Sequence, residues 1–235
     1  MTPRFKLLKD NVRNVHSNGK TITGVIVNNQ NEFVQFESGS EEILPLIFLR
    51  DRTIIRLISQ PVVIAYYDLD GKLHAYTPDF LVERKDGSIE LHEYTLSSRR
   101  LKPESIAREI AARKYCEERG WIYIVHTELE FPNPTWIDNI QALHGFIAQG
   151  YNNEHVRKEI MSLLKNGDKL TYSLVISEIQ NILGIGKNVI NGTVFHMLYW
   201  TDLCTDLNQL LFIQGHPNPT MKLWMEKETG VYHVN

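Results

Sequence analysis

The segment YTPDFLVERKDGSIELHEYT holds the residues best suited to chemistry. Asp79 follows a proline at the start of a strand-like run, and Glu93 lies in the next run, beyond the Asp86-Gly87 turn. Two such runs read as a β-hairpin, in which facing side chains approach within a few ångströms. A carboxylate pair placed that way can share a hard divalent cation, because Mg²⁺ takes oxygen ligands and keeps waters for chemistry. Glu41, in FESGSEEILPL at the start of a helix-like segment, is a third candidate ligand. The plainer alternative leaves Asp79 as a turn residue and Glu93 as a solvated strand residue.

The elements around these residues can be read from periodicity. EEILPLIFLRD has helical spacing, with Pro45 near its start. IIRLISQPVVIAYYDLDGKLHAYTPDFLVERKDGSIELHEYTL alternates β-branched and aromatic residues and carries two Asp-Gly turns, at Asp70-Gly71 and Asp86-Gly87. That is the pattern of antiparallel strands joined by hairpins. PESIAREIAARKYCEERG predicts a helix, opened by Pro103 and stopped by Gly120. WIYIVHTE returns as a strand, and the intervening helix allows it to run parallel to an earlier one. IDNIQALHGFIAQG reads as a closing helix. The expected fold is therefore an α/β core over residues 29–150.

From Tyr151 the pattern changes to three helix-like segments and then LLFIQGHPNPTMKLWMEK, a hairpin with its turn expected at GHPNP. Helices followed by a hairpin suggest a winged-helix-like domain over residues 151–235. Its charge is mildly acidic, which favours protein contact over duplex reading. Residues 1–28 form a basic arm. Arg4, Lys6, Lys9, Arg13 and Lys20 stand against Asp10 alone in its first 20 residues, so it is either a solvated tail or a phosphate-binding segment.

Composition narrows the class. The chain has 235 residues, 43% hydrophobic and 23% charged, as expected of a globular protein and not of a disordered one. The net charge of −3 confines any nucleic-acid-binding surface to local patches. Two cysteines exclude a four-cysteine zinc site, and the nine histidines form no HExxH pair. GIGKN at 184–188 lacks the residues of a phosphate loop. No run approaches the roughly 18 apolar residues of a spanning helix, so a cytoplasmic chain without membrane contact is expected.

The order ESGSEE, SQP, YTPDFLV, DG and an acidic strand end, over residues 37–128, resembles the TnsA family. TnsA is the endonuclease subunit of heteromeric, Tn-seven-like transposases, whose partners are the DDE transposase TnsB and the AAA+ ATPase TnsC. The resemblance implies a restriction-endonuclease-like mixed sheet flanked by helices, followed by a small winged-helix-like domain. It implies Mg²⁺- or Mn²⁺-dependent hydrolysis of one DNA strand at transposon ends. Glu41, Asp79 and Glu93 would be the catalytic metal ligands, and Gln60-Pro61 matches a family pair with a structural role. Two residues after Glu93 the family commonly has lysine; this chain has Thr95, which shares the strand face of Glu93 but carries no charge.

Three readings follow from that departure. The chain is an end-cutting subunit impaired by Thr95, a silent subunit that assembles transposase and ATPase on DNA, or a stand-alone restriction or repair nuclease. Arg99, Arg100 and Lys102, just past the motif, are expected to contact DNA phosphates, and one of them is a candidate substitute cation. His92, on the opposite strand face, reads as a surface or packing residue and not as a base.

Overall fold

The structure, a computed structural model, describes residues 24–27, 33–36, 43–131, 133–147 and 152–226. It divides into two units parted between Phe131 and Pro132. The first unit runs β1 (Gly24–Val27), β2 (Phe33–Phe36), α1 (Ile43–Arg50), β3 (Ile54–Ser59), β4 (Ile64–Tyr67) and β5 (Leu73–Tyr76). It continues with β6 (Phe80–Arg84), β7 (Ile89–Tyr94), α2 (Ser97–Arg100), α3 (Pro103–Glu117) and β8 (Ile122–His126). Glu41 and the arm residues Arg4, Lys6, Lys9 and Arg13 lie outside the described residues.

Four strands form a mixed sheet in the order β3-β6-β7-β8, antiparallel except for the parallel β7–β8 pair. The crossover between those two is α2 and α3, since parallel neighbours cannot be joined by a tight turn. Both Asp-Gly hairpins form, β4–β5 and β6–β7, with Gly71 and Gly87 at φ of 75° and 85°. Such angles are open to glycine at little steric cost. Gly120, at φ 67°, ends the helical turn after α3.

Alternation along β6 and β7 gives the sheet two different faces. Leu81 and Leu91 are buried with Ala112 and Cys116 of α3 and with Tyr123 of β8. Phe80 and His92 point the other way, where Phe48 of α1 meets them at 6.1 and 4.6 Å between ring centres. This is the α/β mixed sheet flanked by helices that the sequence led us to expect.

The second unit holds α4 (Pro134–Ile147), α5 (Glu154–Leu164), β9 (Leu170–Thr171), α6 (Tyr172–Leu183) and α7 (Lys187–Tyr199). Three strands of two residues each follow: β10 (Phe212–Ile213), β11 (His216–Pro217) and β12 (Lys222–Leu223). The segment expected to close the first domain is α4, and it packs here instead. Leu143 lies in the same buried cluster as Val194 and Phe195, and the Phe146 ring stacks on Phe195 at 4.6 Å. Buried Asn139 donates to the carbonyls of Leu207 and Gln209 and accepts the Leu211 N–H, which fastens α4 to the stretch after α7. The hairpin β10–β11 turns at Gln214-Gly215 and not at GHPNP. Both turn residues have positive φ, 50° and 79°, the twist that a two-residue hairpin loop requires.

The α1 side of the sheet carries a polar chain under cover. Asp51 and Thr53 accept from Arg84, whose Nε donates to Glu90 at 2.8 Å. Glu90 meets His92 Nε2 at 3.1 Å, His92 Nδ1 meets His126 Nε2 at 2.8 Å, and His126 Nδ1 meets Glu130 at 2.6 Å. The two imidazole rings thus bridge the carboxylates of Glu90 and Glu130. His92 is 2% exposed, a packing residue as expected, but one inside a charged network.

Burial pushes the His92 pKa down from 6.5, against the pull of Glu90. The hydrogen bond from His92, aided by Arg84, holds Glu90 at about 2, below its ordinary 4.5. In both cases the unfolded chain takes up its proton at higher pH than the folded one, so stability falls as acid is added. Urea unfolding of the whole protein should show the loss beginning as pH drops through 6.5 and deepening between 4.5 and 2. Glu90→Gln should flatten the lower part of that limb; an unchanged acid limb in this variant would contradict the assignment.

Candidate active site

Asp79 stands one residue before β6, and the register Phe80↔His92 continued by one step places it opposite Glu93. The Tyr94 N–H donates to Asp79 Oδ2 at 2.7 Å, so the carboxylate sits against the end of β7. The backbone is held from the other side, where Gln60 N–H donates to the Asp79 carbonyl at 2.7 Å. Asp79 is thus fixed between β3 and β7 by backbone donors. By parity, Asp79, Leu81, Leu91, Glu93 and Thr95 share the α3 face of the sheet. Thr95 extends the ladder past β7 through its N–H to the His126 carbonyl, 2.9 Å.

Two buried phenols line this face. The Tyr76 hydroxyl donates to the Arg108 carbonyl at 3.2 Å, and both tyrosines lie in the cluster of Leu81 and Leu91. Burial and the negative charge of Glu93 push both well above the ordinary tyrosine value. They remain neutral hydrogen-bonding groups beside the carboxylates.

The three basic residues past the motif are placed differently. Arg99 and Lys102 are exposed. Arg100 folds back to α3, where its guanidinium meets Glu109 at 3.2 Å. The same carboxylate pairs with Arg113 at 2.6 Å, and Arg113 lies 5.5 Å from the centre of the Tyr123 ring. α2 is anchored at its start by Glu128, which accepts the Ser97 N–H at 2.8 Å and also the Ser97 hydroxyl.

Among the described residues, no cluster of three or more His, Cys, Asp or Glu side chains is positioned to hold a metal ion. Asp79 and Glu93 offer carboxylate oxygens alone, the donor chemistry of a hard divalent cation and not of zinc or copper. The residues therefore fit Mg²⁺ or Mn²⁺, with Glu41 outside the described part.

Sequence reading did not find Tyr76, Tyr123 or Glu109. Their only signals were an apolar-looking strand position for each tyrosine and a mixed-charge helix for the glutamate, neither of which points to a site. Residues 51–128, β3 to just past β8, match the family model described as TnsA-like endonuclease N terminal. No curated protein matches the chain. Among the described residues no helix is long and apolar enough to cross a membrane.

Gln60 carries its contact with Asp79 in a left-handed conformation, φ 48°, while being 8% exposed. A β-branched side chain is poorly tolerated there. Gln60→Val should lower stability by about 1–3 kcal/mol, whereas Gln60→Gly, free of that strain, should lose less. Thermal melting of the two variants checks this, and equal losses would exclude backbone strain as the cause.

Proposed function

Since residues 51–128 match the TnsA-like endonuclease N-terminal family model, we propose that this chain cuts DNA at the ends of a mobile element. It would hydrolyse one strand there, while a TnsB-like DDE transposase cuts and joins the other. The observation that carries this reading is the placement of Asp79 and Glu93 on one sheet face, with Asp79 clamped by the N–H groups of Gln60 and Tyr94. Asp79 and Glu93, with Glu41, are the residues to hold Mg²⁺ or Mn²⁺. Such an ion, when bound, acidifies water and neutralises charge on the phosphate.

The chain's own residues do the positioning. Backbone donors keep Asp79 from rotating away from Glu93. The Tyr76–Tyr123 pair covers the inner side of Glu93 with neutral hydroxyls. Thr95 adds one hydroxyl at the place where relatives put a lysine, and so supplies no positive charge. Losing one preorganised charge-stabilising donor commonly costs about 10²–10³ in rate.

Thr95 also favours a second reading, in which the domain is silent and serves to assemble the TnsB-like transposase and a TnsC-like AAA+ ATPase on DNA. In either reading the second unit, with its helices and small paired strands, serves as a winged-helix-like module that contacts a protein partner. The basic residues of the arm, Arg4, Lys6, Lys9 and Arg13, and the exposed Arg99 and Lys102 contact phosphates along the duplex.

Nicking of an end-sequence duplex, with partner proteins and either Mg²⁺ or Mn²⁺, separates the two. The cutting reading expects a nick confined to one strand, slow compared with a lysine-bearing relative, and reduced to background by Asp79→Ala or Glu93→Ala. A wild-type protein that supports strand joining without any such nick would establish the silent subunit instead.

A further inference from the structure

The lysine-less site raises the question of where positive charge reaches the phosphate. Several basic residues follow Thr95, but only one of those just past it is built into the same face of the sheet. α2 begins two residues after Thr95, and Glu128 holds its first turn by accepting from both the N–H and the hydroxyl of Ser97. That anchoring sets the direction of the last residue of α2, Arg100. Its Nε and NH2 groups meet the two carboxylate oxygens of Glu109 at 3.4 and 3.2 Å, a two-pronged contact made on the α3 side of the sheet. Asp79, Glu93 and Thr95 share that side. Arg99, next in the chain, is exposed.

Glu109 is shared by Arg100 and Arg113, and Arg113 lies against the Tyr123 ring. Tyr123 is the common neighbour: its hydroxyl feels Glu93, Glu109 and Asp79, and Arg100 in turn feels Tyr123. The side chain of Arg100 is 40% exposed, which leaves it reachable by a DNA backbone. Glu109 holds the planar guanidinium in the fork geometry that also suits two phosphate oxygens.

We propose that Arg100 binds the scissile phosphate and supplies the charge that position 95 lacks, with Glu109 and Arg113 holding it in readiness. This rests on the cutting reading given above. On phosphate binding, the guanidinium exchanges its contact with Glu109 for the phosphate oxygens, and Glu109 keeps Arg113 as its partner. No bond to Arg100 forms or breaks in the hydrolysis; its part is electrostatic.

The test uses the full chain with its partners and has two readouts. The first is binding of a short fluorescein-labelled end-sequence duplex in Ca²⁺, at several salt concentrations. Arg100→Ala should flatten the dependence of log affinity on log salt by about one contact. The second is single-turnover nicking at saturating duplex in Mg²⁺. Arg100→Ala should slow it by about 10²-fold, Arg100→Lys should keep much of the rate, and Lys85→Ala, in the exposed turn at the opposite end of the β6–β7 hairpin, should leave it unchanged. Adding Thr95→Lys to Arg100→Ala should restore nicking, which a merely structural role for Arg100 would not allow. Wild-type nicking rates in Arg100→Ala would overturn the proposal and leave the cutting reading standing. Absence of nicking in both the wild type and Thr95→Lys, despite normal binding, would remove the cutting reading and Arg100's role with it.

Discussion

The pairing of β6 with β7 is the constraint on which the rest depends. Phe80 faces His92 and Leu81 faces Leu91, so each strand sends its residues alternately to α1 and to α3. A slip of one residue would turn Glu93 and Leu91 toward Phe48 and would bury Glu90 and His92 against α3. The site, the apolar core beneath α3 and the charged network beneath α1 would all be lost together. Register is guarded at the turn by Asp86-Gly87, with Asp86 accepting the Ser88 N–H at 2.9 Å. It is guarded at the open end by Tyr94 and Gln60, both of which hold Asp79. The carboxylate proposed to hold the metal thus doubles as a register pin.

The two faces solve opposite problems. Toward α3 the sheet presents leucines, and the carboxylates lie at its end. Toward α1 it buries Glu90 and His92, and ionised groups in that position are tolerable only when paired. Arg84 and the hydrogen bond between Glu90 and His92 supply the compensation. The network also ties β7 to β8 through His92 and His126, on the strands that flank the α2–α3 crossover. Rigidity on the hidden face therefore supports the geometry of the open one.

Much of this was legible in the residues. The Asp-Gly turns announced both hairpins, Pro103 and Gly120 bounded α3, and the run WIYIVH showed that a strand returned after it. Asp79 and Glu93 could be paired because the turn between them is short enough to count across. Other features were not legible because they depend on where an element docks. An amphipathic stripe such as that of α4 demands a cover but does not say which unit supplies it. Glu90 and His92 look like outward polar positions of an alternating strand, and only the presence of α1 makes that side an interior. The left-handed turn at Gln60 has no glycine to mark it. The difference between Arg99 and Arg100 is a matter of one helical step in α2, set by Glu128 from a distant loop.

The paired phenols bear on how the site behaves in alkaline solution. Tyr76 and Tyr123 lie together in the core, and ionising either would bring a further negative charge beside Glu93. Both therefore keep their protons far into the basic range, and neither can serve as a proton acceptor for the attacking water. The inner wall of the pocket is electrically constant as hydroxide rises. For the proposed strand cutting, any acceleration in base would then belong to the water and the phosphate side of the reaction.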